Sequence, residues 1–325
     1  MTVVTAPARR SSGLRNLIRH ETALAVLVAI ALAVLATRSD RFFTVDNLLN
    51  QGRLMTEVGL IALAMTFVIV TGGIDLSVGS TVGMTAICLG VFWHDVGMPL
   101  PLAIVAALLV GTVGGLFNGF IITRFRVPPL IATLATLALY RGIAEGVSQA
   151  RSVRGYPDWF AVLGRGDVLG VPTQLWILLA AVLVSAFVLG LTTFGRTTYA
   201  TGSNEIASRF SGLAVDRTKL AIYAGSGFAA AVAGVILVAR VSTTRSDMGS
   251  GYELTAITAV VLGGTSIFGG RGTIIGTVLG LVLMQALNNG LSLAGIKGDG
   301  TIVVIGVILI LAVLLANLFR RDGSG

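Results

Sequence analysis

The chain has 325 residues, 54% of them hydrophobic and only 12% charged, with a mean hydropathy of +0.90. A soluble domain carries roughly 25% charged residues, so this chain cannot cover a water-facing surface, and a soluble enzyme or regulator is excluded. The formal net charge of +8 sits in loops between apolar runs, as the positive-inside rule has it, rather than on a phosphate-binding face; nucleic acid is not an expected partner.

Absences narrow the class further. Cys88 is the sole cysteine, and the two histidines, His20 and His94, join no metal or triad pattern. No P-loop is present, so the chain is not expected to bind ATP by that motif. Membrane enzymes gather His, Asp or Cys at a site, and nothing here does; a metal, a cofactor and covalent chemistry are not expected.

Taken in order, residues 1–20 form a polar, Arg-bearing segment expected in the cytoplasm. The apolar run after it reads as a retained first helix rather than a signal peptide, because Ala36 is followed by Thr37-Arg38-Ser39-Asp40 and offers no cleavage site. Apolar runs then recur to the end: Thr22–Thr37, Met55–Val70, Leu76–Trp93, Leu102–Thr123, Leu130–Val147, Leu175–Leu191, Leu220–Ala239, Leu254–Phe268, Ile274–Leu293 and Ile302–Phe319. They predict an all-α polytopic membrane protein of about ten transmembrane helices. Residues 21–325 form a single domain, and the denser Arg clusters place both termini in the cytoplasm.

The second and eighth spans read as short, and both end in Gly-rich breaks: Gly72-Gly73, and Gly263-Gly264 with Gly269-Gly270 beyond. Paired interruptions in the two halves of a transporter point to its transport path. Short matches between the halves, Thr56-Glu57 with Tyr252-Glu253 and Gly111–Gly115 with Gly276–Gly280, hint at an internal duplication. After the first break, Asp75 either faces that path or caps the helix starting at Leu76, and with Ser77 it belongs to the break as a hinge or gate. Glu57 and Glu253 are expected near the outer ends of their spans, where solvation makes charge cheap. Arg141 and Glu145 have the i,i+4 spacing of an ion pair. Asn118, Gln285, Asn288 and Asn289 are uncharged polar groups in apolar helices, suited to a polyhydroxylated solute or to gluing helices together. Gly-x-x-x-Gly repeats at Gly79, Gly111, Gly142 and Gly272 read as packing faces.

Two loops are long. Gln149–Thr173 falls outside under this topology. Thr192–Lys219 falls inside, and its Asn204–Phe210 stretch reads as a short helix capped by Ser203 or Asn204 and closed by Gly212.

In Thr71–Ser80, Asn118–Pro128, Gly202-x-Asn204-x-x-Ala207 and Gly263–Gly272, the chain resembles the membrane permeases of bacterial ABC sugar importers, in the branch that carries ribose, rhamnose and autoinducer-2. Branched-chain amino acid permeases are more distant relatives. The resemblance covers the chain from Arg41 onward. It implies a multi-pass protein of the inner membrane, a second permease copy or paralogue, cytoplasmic ATPase subunits that hold ATP and Mg, and a periplasmic or lipid-anchored sugar-binding protein. It also implies that the 192–219 loop couples to the ATPase through Gly202, Asn204, Glu205, Ala207, Arg209 and Gly212. Leu139–Gly146 looks most like rhamnose-type members. An ion-coupled secondary transporter is the main rival, and it would need carboxylates near the bilayer centre, where Asp75 and Glu145 are the plausible ones.

Overall fold

The computed structural model describes residues 42–293 continuously, with parts of 21–37 and 295–307. Residues 1–20, most of Ile302–Phe319 and the chain ends lie outside the described residues, as does part of the first span. Leu24 and Val28 of that span pack on Leu283.

The helices are α1 (Val45–Val70), α2 (Val78–Gly90, prolonged by a π-helical turn at Val91–Asp95), α3 (Leu100–Arg124), α4 (Pro129–Ser148), α5 (Asp158–Arg165), α6 (Thr173–Leu191), α7 (Thr193–Ser203), α8 (Glu205–Phe210), α9 (Val215–Val241), α10 (Tyr252–Leu262) and α11 (Ile274–Leu293). The only strands among the described residues are β1 (Asp167–Val168) and β2 (Val171–Pro172), a two-residue antiparallel pair. Six helices among the described residues, α1, α3, α4, α6, α9 and α11, are long and apolar enough to cross a membrane. The chain is a polytopic membrane protein. α1 and α9 are mostly buried within protein, whereas α6 leaves Leu179, Leu183, Val184 and Phe187 exposed, the surface that lipid would cover.

The short spans are not quite the expected pair. α10 has 11 residues, as anticipated, but α1 has 26; its first turns, hidden from a hydropathy reading by Asn47, Asn50, Gln51 and Arg53, are started by Thr44, whose hydroxyl accepts from the Asn47 N–H. The second short helix is α2, with 13 residues. The two loops also hold structure that their composition concealed: α5 and the strand pair in one, α7 in the other.

Both glycine breaks end their helices in the same way. After α1, Gly72 (φ 79°) donates to Ile69 O and Gly73 donates to Val68 O. After α10, Gly264 (φ 89°) donates to Val261 O and Thr265 to Val260 O. These are two copies of one Schellman cap, which needs a left-handed residue where glycine has no Cβ to clash. The two halves share a structural device where their sequences share only fragments.

Three Gly-x-x-x-Gly faces pack as expected. A Cβ on Gly111 or Gly115 would strike α9 at Gly227 and Tyr223, and one on Gly276 or Gly280 would strike α10. Gly142 and Gly146 face open space, so that repeat is not a contact within this chain.

Candidate functional site

One end of the bundle carries α8. The Asn204 side chain accepts from the Ala207 N–H at 2.9 Å, and Gly212 (φ 78°) closes the turn by donating to Arg209 O. Both are as the sequence indicated. Around this helix, Glu205 receives Lys219 at 2.5 Å and Arg209 at 2.8 Å, while Arg209 also grips Asp216 at 2.5 Å. Arg126 of the α3–α4 turn closes on Asp216 at 3.7 Å. Partial burial pushes the Glu205 carboxyl up, but its bonds from Lys219 and Arg209 outweigh that and hold it below the usual carboxylate range. The cluster fixes a helix too short to persist alone and leaves Ile206 69% and Phe210 90% exposed. Two large apolar side chains turned outward on a charge-clamped helix form a ready-made contact surface.

Behind α8, the end of α7 meets both breaks. A Cβ on Gly202 would collide with Val70 O and Gly270 N, and one on Gly269 would meet Gly202 O and Gly72 N. Gly270 itself donates to Val70 O at 2.8 Å. Gly72, Gly202, Gly269 and Gly270, singled out separately in the sequence, thus form one junction. α7 therefore joins α8 to the end of α1 and to the glycine segment that follows α10.

The segment after the first break turns into the bundle. Asp75 is 1% exposed; its Oδ1 accepts from the Ser77 N–H at 3.0 Å and the Ser77 hydroxyl at 2.6 Å, and its Oδ2 accepts from Ser226 at 2.8 Å. The carboxylate holds Ser77, the N-cap residue of α2, rather than a helix N–H of its own. Ser77 in turn accepts from Asn118 Nδ2 at 2.8 Å, and Asn118 Oδ1 accepts from Thr136 at 2.7 Å. Asn118 therefore ties α2, α3 and α4 together. Ser226 lies about 16 Å along α9 from Val215 at 1.5 Å per residue, so this network sits deep in the bundle rather than at its end.

A second unwound stretch, residues 242–251, runs antiparallel along α2. Thr244 lies against Gly90, Ser246 and Met248 against Gly83, and Gly249 with Glu253 against Gly79. α10 starts only there, which is why it is short. Arg141 donates to the carbonyls of Ser246 and Met248, supplying the partners that irregular backbone inside a membrane protein requires. The expected Arg141–Glu145 pair does not form, since the i,i+4 spacing said nothing of these carbonyls, and Glu145 is exposed. Glu57 is not solvated as expected either: it is wholly buried and paired with Arg240 at 2.7 Å. Arg240 O in turn accepts from Arg165 of α5 at 2.6 Å.

Gln285 and Asn288 line a cleft of about 180 Å³ between α1, α10 and α11, with Tyr252 and Thr255 opposite. Asn289 is buried and does not line it. Sequence reasoning missed Gln51, whose Oε1 accepts from Gln285 at 2.5 Å, and missed Ser226, Tyr252 and Arg240; a lone serine or arginine carries no pattern until its partner is placed. Among the described residues no cluster of His, Cys, Asp and Glu could hold a metal ion.

Residues 47–313 match the family described as branched-chain amino acid transport system / permease component. The chain belongs to that family. Over 322 residues the permease is 40% identical to the ribose import permease protein RbsC of Escherichia coli (strain K12), covering 98% of this chain and 99% of that one. It is 38% identical over 307 residues to RbsC of Haemophilus influenzae, covering 93% and 94%. The autoinducer 2 import system permease protein LsrD of Escherichia coli (strain K12) is 39% identical over 300 residues, covering 90% and 91%. A solved structure described as an inward-facing ABC transporter of metal-chelate type aligns over 94% of the permease and 98% of that chain, with TM-score 0.49 and 16% identity, a likeness that carries no argument.

Proposed function

We propose that this permease is the membrane subunit of an ATP-driven importer and forms the path for a neutral monosaccharide across a bacterial inner membrane. The observation that carries this reading is nearly full-length identity of about 40% to permeases named for ribose and autoinducer 2 import. In this reading the chain hydrolyses nothing itself; separate ATPase subunits hold ATP and Mg and dock on the face formed by Ile206 and Phe210. The α8 end is then cytoplasmic, the α5 end meets a sugar-binding protein, and ten spans put both termini inside. The path is completed by a second permease copy or a paralogue. ATP binding favours one global state and hydrolysis resets it, with α8, α7 and the glycine junction passing the change to α1 and α10. D-Ribose and autoinducer 2 are the first cargoes to test, and L-rhamnose follows on the strength of Leu139–Gly146.

The test is reconstitution of the permease with its ATPase and binding protein in liposomes. Uptake of one of these sugars, dependent on ATP and abolished by Ala207→Asp in a folded complex, is the expected result. Sugar uptake by the permease alone would overturn the reading in favour of an ion-coupled transporter. Uptake of leucine and of no sugar would move it to the amino-acid branch.

A further inference from the structure

We infer that the cleft between α1, α10 and α11 is a resting site for the sugar within the path, a subsite that rests on the reading just proposed. The cleft holds about 180 Å³, the share of about six waters at liquid density, which is enough for one small polyol. Gln285, on its wall, lies about 16 Å along α11 from Ile274 at 1.5 Å per residue, close to the middle of that helix. The site is therefore at depth, where a polar group without a partner is costly.

Its lining divides by chemistry. Leu281 and Met284 supply an apolar wall, while Tyr252, Thr255, Gln285 and Asn288 supply a phenol, a hydroxyl and two amides; no charged side chain among the described residues lines it, and Arg240, beside the Tyr252 phenol, is already paired with Glu57. The Asn288 side chain makes no hydrogen bond to any described residue, although it sits half-buried on a mostly apolar helix. Gln285 spends one N–H on Gln51, which holds its amide in place and leaves its carbonyl for another donor. An amide pairs simultaneously with a donor and an acceptor, which is what neighbouring hydroxyls of a sugar present. The aromatic ring and the apolar wall suit the C–H face of the same molecule. A carboxylate or ammonium substrate would find no unpaired counter-charge among the described lining residues, since Arg240 and Glu57 beside Tyr252 neutralise each other, and such an ion is not accommodated in a desolvated site without one. A lipid tail would leave the amides of Gln285 and Asn288 unmatched. The neutral polyol is the one solute class that uses every wall.

Because Cys88 is the only cysteine, Cys88→Ser gives a silent background for labelling. Thr255→Cys and Asn288→Cys are each placed in it, and the permease is assembled with its ATPase and binding protein in nanodiscs. Reaction of each thiol with a small methanethiosulfonate is timed with D-ribose, L-rhamnose or leucine present at millimolar concentration, beside uptake by the Cys88→Ser parent. Slowing of both thiols fivefold or more by the sugar that the parent transports is the expected result. Unchanged rates in a complex whose parent takes up that sugar overturn the cleft and leave the importer reading standing. Slowing by leucine together with leucine uptake overturns both. Thiols shielded by co-purified lipid, found by native mass spectrometry and indifferent to sugar, also overturn the cleft as a sugar site.

Discussion

Asp75 and Ser226, 151 positions apart in the chain, share a hydrogen bond of 2.8 Å inside the bundle. It joins the unwound segment before α2 to the middle of α9, and no cation accompanies the carboxylate among the hydrogen bonds and ion pairs of the described residues. Ser226→Ala removes one donor and strands Oδ2, so a loss of about 1–3 kcal/mol is expected. Asp75→Asn keeps an oxygen for both Ser77 donors and offers an N–H to Ser226, whose hydroxyl can reverse to accept it; its cost is expected to be smaller. Thermal unfolding of the detergent-solubilised permease measures both. A Ser226→Ala protein as stable as wild type would show that the bond contributes nothing.

The glycine junction makes a sharper prediction about coupling. Gly202→Ala places a methyl against Val70 O and Gly270 N, both backbone atoms that cannot turn aside. The α7 end must then part from the two breaks. ATP hydrolysis in the assembled complex is expected to lose most of its stimulation by loaded binding protein while the complex still forms. Gly142→Ala is the control: that residue faces open space within its helix, and alanine there gains up to about 1 kcal/mol of helix propensity. Equal stimulation in both variants would remove the junction from the coupling route.

Much of this was legible from sequence. The α8 helix, its Asn204 cap and both glycine breaks were visible because capping and left-handed turns demand particular residue types at fixed offsets. The partners of Arg141 and Glu57 were not. Arg141 serves carbonyls 105 and 107 positions away, and Glu57 meets Arg240 183 positions away, distances over which no local spacing operates. The length of α1 was hidden for another reason: its polar first turns lie beyond the apolar stretch that hydropathy detects. Likewise, the unwound run at 242–251 carries no hydropathy signal, and only its contact with Gly79, Gly83 and Gly90 reveals it.

The charge cluster at α8 sets a pH dependence. The Glu205 carboxyl is held below its ordinary value of 4.5, so its contribution to stability is fully present above about pH 4.5 and is lost as pH falls through the depressed folded value. Hydrogen exchange of the α8 amides is expected to stay flat from neutral pH to about 4.5 and to accelerate below it, after correction for intrinsic rates. Glu205→Gln should raise exchange at neutral pH by an amount worth about 1 kcal/mol or less, since the group is more than a third exposed and solvent screens it. An α8 already mobile at pH 6 in the wild type would contradict the clamp.

The Glu57–Arg240 pair should behave differently, because Glu57 is fully buried. Arg240→Ala leaves a carboxylate deep in protein with no counter-charge, and removing one partner of such a pair costs about 3–5 kcal/mol. It also withdraws the guanidinium that lies beside Tyr252 of α10, while the Arg240 carbonyl held by Arg165 of α5 stays in place, so the start of α10 should loosen more than α5. The double variant Glu57→Gln with Arg240→Gln replaces two charges by two amides of similar length that can still bond to each other. It is expected to recover more than half of the loss, since most of the single-variant penalty is the stranded charge rather than the missing attraction. Midpoint temperatures of the three proteins decide this: a double variant no better than Arg240→Ala would mean that the ion pair itself, not the burial of an unpaired acid, holds α1 to α9.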